Sequence, residues 1–100
     1  MAHLKFESIK MIDVLEDSDK VAIMKNILGE LRGWFTDKAI NEEYPKEIVN
    51  YIVYNILDGK KSIGMIAVKF NNLDTAEIYV MGIIPEYHSK GIGQELIRRL

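Results

Sequence analysis

The sequence predicts an α+β domain in which a mostly antiparallel sheet is flanked by helices. Three observations carry this expectation. Residues 51–57 are rich in β-branched and aromatic side chains and run into Asp58-Gly59, a strong hairpin signal that sets neighbouring strands antiparallel. Met24, Ile27, Leu28, Leu31, Trp34 and Phe35 recur at intervals of three and four, the spacing of one helix face. Residues 76–84 are apolar on both faces except at Glu77, which predicts a central strand covered on both sides.

Leu4, Phe6, Ile9 and Ile12, with Lys and Glu between them, predict an opening strand over residues 3–13. Asp17-Ser18-Asp19 then offers capping oxygens and an acidic first turn for the first helix, which runs to Phe35 with Gly33 marking fraying near its end. A second helical stretch starts at Thr36 or Asp37 and is bent or restarted at Pro45, because proline fits a first turn and spoils an interior one; it ends near Asn50. Past Gly59 the partner strand covers residues 61–70, a polar turn follows at Asn71-Asn72-Leu73-Asp74, and the third β-rich run is stopped by Pro85 and Glu86. Gly91-Ile92-Gly93 opens a last helix, apolar at Ile92, Leu96, Ile97 and Leu100 and polar at Gln94, Glu95, Arg98 and Arg99. No repeat, linker or composition break divides residues 1–100, which are read as a single domain.

Composition narrows the function. Of the 100 residues 48% are hydrophobic and 28% charged, which suits a folded domain rather than a disordered segment. Thirteen Lys and Arg against fifteen Asp and Glu give a net charge of -2 with no long run of either sign, so the basic footprint of a nucleic-acid binder is absent. The lack of cysteine excludes disulfides, thiolate nucleophiles and Cys-ligated zinc, and two histidines, His3 and His88, are too few for a His-rich metal site; no metal is expected. No apolar stretch approaches the ~20 residues of a membrane span, and residues 1–10 carry charges in place of a signal-peptide block. The expected setting is the reducing cytoplasm, with no membrane partner.

The informative stretch is residues 76–97. A buried strand leads into a short loop, two glycines one residue apart and a helix N-terminus, an arrangement in which backbone N–H groups converge on an anion. Glycine lets a phosphate approach the backbone closely, and Lys90 adds a cation at the rim. The same glycine pair also fits a plain loop. It does not fit a P-loop, since no Lys-Ser or Lys-Thr follows, nor a dinucleotide fold, since the third glycine and a preceding parallel unit are missing.

Pro85 closing the strand, Tyr87 two residues later, and His88-Ser89-Lys90-Gly91-Ile92-Gly93 opening an amphipathic helix resemble the acyl-CoA-binding signature of the GNAT superfamily of N-acetyltransferases. That signature reads Arg or Gln, two residues, Gly, one residue, then Gly or Ala, and here His88 stands where Arg or Gln is usual. The order of the earlier elements agrees, so the resemblance covers nearly the whole chain, with its specificity in residues 76–100. It implies the acyl-CoA N-acyltransferase fold, acetyl-CoA as cosubstrate without a metal, and direct attack by a primary amine. It implies a bulge in the central strand at Met81, Gly82 and Ile83, where backbone groups pair with the pantetheine amides, Gly82 tolerates the bulge, and a nearby N–H polarises the thioester carbonyl. It implies that the pyrophosphate rests on His88, Ser89, Lys90, Gly91, Ile92, Gly93 and Gln94, chiefly on the N–H groups from Ser89 onward.

Direct attack needs a neutral amine and hence a base. Glu77, the single charged residue of its strand, is the candidate; it resembles a glutamate base of several family members, and the expected burial would strengthen it. A glutamate satisfied by solvent or a neighbouring strand is the alternative. Tyr79, two residues on, either lines the acceptor pocket or packs, and Trp34 and Phe35 resemble an acceptor-side lip or belong to the core.

The resemblance also implies a further strand, helix and closing strands after the signature helix, together with the acid that protonates the leaving thiolate. The last helix carries no closing glycine. The chain is therefore expected to be the N-terminal portion of a longer acetyltransferase, lacking C-terminal strands and a helix. By itself it is expected to be inactive or nearly so, with a one-walled cleft and an exposed strand edge that favours a homodimer or other self-association. Two other readings stay open: a non-catalytic acyl-CoA-binding or regulatory domain of the same fold, and a small interaction domain whose glycine loop binds nothing.

Overall fold

The hairpin at Asp58-Gly59 organises the sheet. A computed structural model describes residues 6–72 and 75–100; His3 and Leu4 of the expected opening strand and Leu73-Asp74 of the expected turn lie outside them. Strands β2 (Ile52–Asp58) and β3 (Lys61–Phe70) pair antiparallel with Asp58 opposite Lys61, and Gly59 takes the first loop position at φ 62°, where a side chain would be strained. β1 (Ile9–Val14) pairs with β2, and β4 (Ala76–Ile83) with β3, both antiparallel, in the order β1-β2-β3-β4. β1 starts late because Phe6–Ser8 form a 3-10 turn.

Among the described residues β4 is an edge strand, not the central strand its composition suggested. A helix on each face explains the discrepancy. The missing Cβ of Gly82 points at Ile27, Leu28 and Leu31 beside α1 (Asp17–Gly29), while Met81 reaches Gly93 of α3 (Ile92–Arg99) on the other side. Apolarity on two faces reports what lies above and below a strand, and says nothing of its neighbours in the hydrogen-bonding direction.

α1 begins with Asp17 and Asp19 near its positive end and buries Met24, Ile27 and Leu28. It ends at Gly29, earlier than the apolar spacing implied. Turns follow, closed by Leu31 N–H to Leu28 O (2.9 Å) and Trp34 N–H to Leu31 O (2.8 Å), so Leu31 stays buried while Trp34 swings out to 68% exposure. The second helical stretch opens with Ala39 N–H on Thr36 Oγ1 (3.0 Å), widens into a π turn (Ala39–Glu43) and restarts as α2 (Tyr44–Ile48) around Pro45. An unbroken α-helix would press the proline ring against the Asn41 carbonyl; the wider turn avoids that clash.

Two bulges shape β3 and β4. Ile63 is extra opposite the Ile56/Leu57 step, and Tyr79 is extra opposite the Ala67/Val68 step. Between them β3 and β4 approach closely, since a Cβ on Gly64 would stand 2.7 Å from Gly82 O and 2.6 Å from Ile83 Cδ1.

A hydrogen-bonded clamp holds the end of β4. Tyr87 OH donates to Asp58 Oδ2 (2.6 Å), Ser8 Oγ donates to Asp58 Oδ1 (2.8 Å), and Gly59 N–H donates to Ser8 O (3.2 Å). The 3-10 turn Pro85–Tyr87 is thereby tied to the hairpin tip, with a Lys61–Glu86 ion pair alongside. Both hydrogen bonds favour the Asp58 carboxylate and hold it below its usual range, and the bond to Asp58 pushes the Tyr87 phenol up to about 12. On α3, Arg99 donates to Ile9 O (2.5 Å) and Phe6 O (2.8 Å), and Glu95, buried beneath it, pairs with Arg98 and Arg99.

Gly64→Ala is expected to destabilise the chain by about 1–3 kcal/mol, because a backbone carbonyl must move to admit the methyl; urea denaturation reads this as a lower midpoint at constant slope. The clamp predicts two pH limbs. Asp58 is lowered in the folded state, so its contribution is present above the ordinary carboxylate range and is lost as pH falls through the folded value. Tyr87 is raised, so its contribution is complete below its ordinary value of 10 and fades as pH rises toward about 12. Asp58→Asn should flatten both limbs of a urea-midpoint profile against pH.

Candidate active site

β4 presents a row of backbone groups to its open edge. Ile84 N–H donates to Ile63 O (2.9 Å), which makes Gly64–Ile83 a non-hydrogen-bonded pair of the ladder. By the alternation of antiparallel pairing, the N–H and C=O of Ile83 and of Met81 turn away from β3, and those of Gly82 turn toward Met65. Of the three residues expected to pair with a pantetheine arm, Met81 and Ile83 thus offer polar groups. Gly82 offers space instead, since a Cβ there would meet Leu28 Cδ2 at 2.8 Å and Leu31 Cδ1 at 3.0 Å.

The bulge lies at Tyr79 rather than at residues 81–83. The extra residue needs no glycine and falls where β4 leaves the helix-covered centre of the sheet. It also changes which side chains share a face. Glu77 pairs with Lys69 and Val80 with Ala67, so Glu77 lies by register on the face of Val80 and Gly82, and not on that of Met81. Tyr79 turns the same way, its ring meeting Tyr44 (5.7 Å) and Tyr51 (4.7 Å). Partial burial and the nearby Glu47 raise the Tyr79 phenol above its ordinary value, which keeps it protonated. Glu77 is exposed at the start of β4, contrary to the burial expected of it, because an edge strand's first residues have nothing packed over them.

Beyond β4 the chain builds a concave loop. Ser89 (φ 63°) and Gly91 (φ 78°) take left-handed backbone on either side of Lys90, and Gly91 caps α3. Glu95 N–H, bonded to Gly91 O at 3.2 Å, is the first N–H of α3 to find a backbone acceptor. Among the described residues the N–H groups of Ser89, Lys90, Gly91, Ile92, Gly93 and Gln94 have none, and the helix dipole adds partial positive charge there. Met81, Ile83, Tyr87, His88, Ser89 and Gly93 surround a hollow of about 270 Å³ with Gly91 and Ile92 in its wall. The Ile92 side chain is core, so only its backbone serves the loop, and Gln94 turns to another hollow beside Phe6 and Arg98.

His88 bends back onto the strand it follows. Its Nε2–H donates to Ile83 O (2.6 Å), and its ring meets Trp34 edge-on at 5.5 Å. Trp34 therefore sits beside Met81 and Ile83, roughly 13–20 Å along the strand from Glu77 at ~3.3 Å per residue. Phe35 packs edge-on against Tyr44 (6.1 Å) and is half-buried. Sequence reasoning missed Asp58 and the tie it makes to Tyr87; a turn residue and an aromatic 29 positions apart carry no local signal of pairing. Among the described residues no His, Asp or Glu cluster could hold a metal ion, and no helix is long and apolar enough to cross a membrane.

Two solved structures share this fold. One is the aminoglycoside N-acetyltransferase AAC(6')-Iy in complex with the bisubstrate analogue CoA-S-monomethyl-acetylneamine, 13% identical, with a TM-score of 0.59 over 91% of this chain and 67% of that one. The other is the same enzyme with CoA, also 13% identical, with a TM-score of 0.58 over 91% of this chain and 65% of that one. The chain thus spans about two thirds of their length. No curated protein sequence matches it. The sequence model of the Acetyltransferase (GNAT) family matches residues 12–100, and on that match the chain belongs to the GNAT acetyltransferase family.

Proposed function

We propose that the chain binds acetyl-CoA along the open edge of β4 and takes part in transferring the acetyl group to a primary amine. One observation carries this reading. The outward N–H and C=O groups of Met81 and Ile83 and, past the 3-10 turn Pro85–Tyr87, the N–H groups of residues 89–94 that have no backbone acceptor among the described residues border one hollow, so a strand-like arm ending in a pyrophosphate fits both at once. The family match and the CoA complexes of the two similar structures support the same ligand.

In this reading Ser89 through Gln94 hold the phosphates with backbone N–H groups, and Lys90 adds charge at the exposed rim. Met81 N–H is the donor nearest the bulge with an outward direction, which supports its donating to the thioester oxygen as charge develops there. Glu77 takes the proton from the amine, directly or through water; its exposure allows either. The exposure of Glu77 also favours a second reading, an acyl-CoA-binding domain without turnover.

Calorimetric titration with acetyl-CoA is expected to give micromolar binding, about -8 kcal/mol, and no heat of binding would sink the proposal. Glu77→Gln separates the two readings. Acetyl transfer to a primary amine, followed by thiol release, should fall about 10²–10⁴-fold with acetyl-CoA affinity held within twofold; equal rates in parent and variant would favour binding alone.

A further inference from the structure

Trp34 is 68% exposed, an unusual place for the largest apolar side chain of a small domain. It stands over the open edge of β4. Leu31, Trp34 and Phe35 on one side and Met81, Ile83 and His88 on the other line an open hollow of about 180 Å³, and the His88 ring spans it from Trp34 to the Ile83 carbonyl. That carbonyl faces away from β3, so it is one of the few strand acceptors open to an incoming amide.

We infer that Trp34 is a cosubstrate-binding residue that closes over the pantetheine arm, and that the arm enters by displacing His88 from Ile83 O. The inference rests on the reading of the β4 edge as an acyl-CoA track. The arm's chemistry fits the hollow, since two amides separated by apolar carbons match the polar edge of Met81 and Ile83 and the apolar wall of Leu31, Trp34 and Phe35. A pantetheine N–H and the His88 Nε2–H compete for the same outward carbonyl, so one bond is exchanged for another of similar strength. Once displaced, His88 stays tethered beside Ser89, at the entrance of the phosphate loop, while the Trp34 ring loses its edge-on partner and gains the arm.

The chain contains one tryptophan, so its fluorescence reports on this residue alone. Titration with coenzyme A, followed in parallel by calorimetry and by Trp34 emission, should show a blue shift that tracks binding. His88→Ala should speed association about 2- to 10-fold in stopped flow, the equivalent of one ordinary hydrogen bond. Trp34→Ala should weaken coenzyme A binding roughly tenfold, with recovery in Trp34→Phe and a melting temperature close to the parent's because the ring is exposed. Calorimetric binding without any change in Trp34 emission, or Trp34→Ala binding within twofold of the parent, overturns the inference and leaves the proposed function standing. No calorimetric binding of coenzyme A overturns both.

Discussion

Tyr79 is inserted opposite the Ala67/Val68 step of β3, and that single extra residue decides what β4 offers to each side of the sheet. Beyond the bulge the ladder settles into a phase in which Gly82 pairs inward with Met65 while Met81 and Ile83 turn their backbone groups to the open edge. Before it, Glu77 shares a face with Val80, toward α1, Tyr44 and Tyr51. The bulge thus sets a carboxylate on one face at the start of the strand and a row of outward backbone groups at its finish. The close approach of Gly64 to Gly82 O keeps β3 and β4 in that register where the cosubstrate would lie.

The loop after β4 keeps its shape through contacts far away in sequence. Ser89 holds left-handed backbone, which costs a residue with a side chain conformational energy and persists only where the surroundings impose it, whereas Gly91 takes the same region freely. The surroundings here are the Asp58 carboxylate, gripping Tyr87 from the hairpin tip, and Glu95 with Arg99, fastening α3 to the chain around Phe6 and Ile9. Both ties are charge-assisted and partly shielded from water, and they join elements that local propensity alone would leave independent. The shape of the loop therefore depends on the sheet being assembled, which is how a fold stabilised chiefly by apolar burial comes to position a row of polar backbone groups.

Much of this was legible in the sequence. The Asp58-Gly59 turn, the antiparallel pairing, α1 and the glycine loop follow from patterns that act over a few residues, and the signature around His88 led to the correct family. What was not legible lies between elements. Two-faced apolarity in β4 could not distinguish an edge from a centre, because the helices on its faces satisfy it in either place. The spacing of Trp34 continued a helix that Gly29 ends, so a residue read as core or acceptor lip became the exposed wall of a groove. Asp58 read as a turn residue, and its grip on Tyr87 is a tertiary fact. The bulge left no mark either, since Tyr79 is as good a strand residue as its neighbours.

Amide-resolved NMR of the ¹⁵N-labelled chain during addition of coenzyme A tests most directly the claim that the outward backbone groups at the end of β4 and the N–H groups at the start of α3 together receive the cosubstrate. The account predicts the largest shifts at the N–H groups of Met81, Ile83 and residues 89–94, with β1 and β2 little changed. Shifts concentrated instead around Ile52, Phe70 and Leu100, where another apolar hollow opens on the sheet, would contradict it.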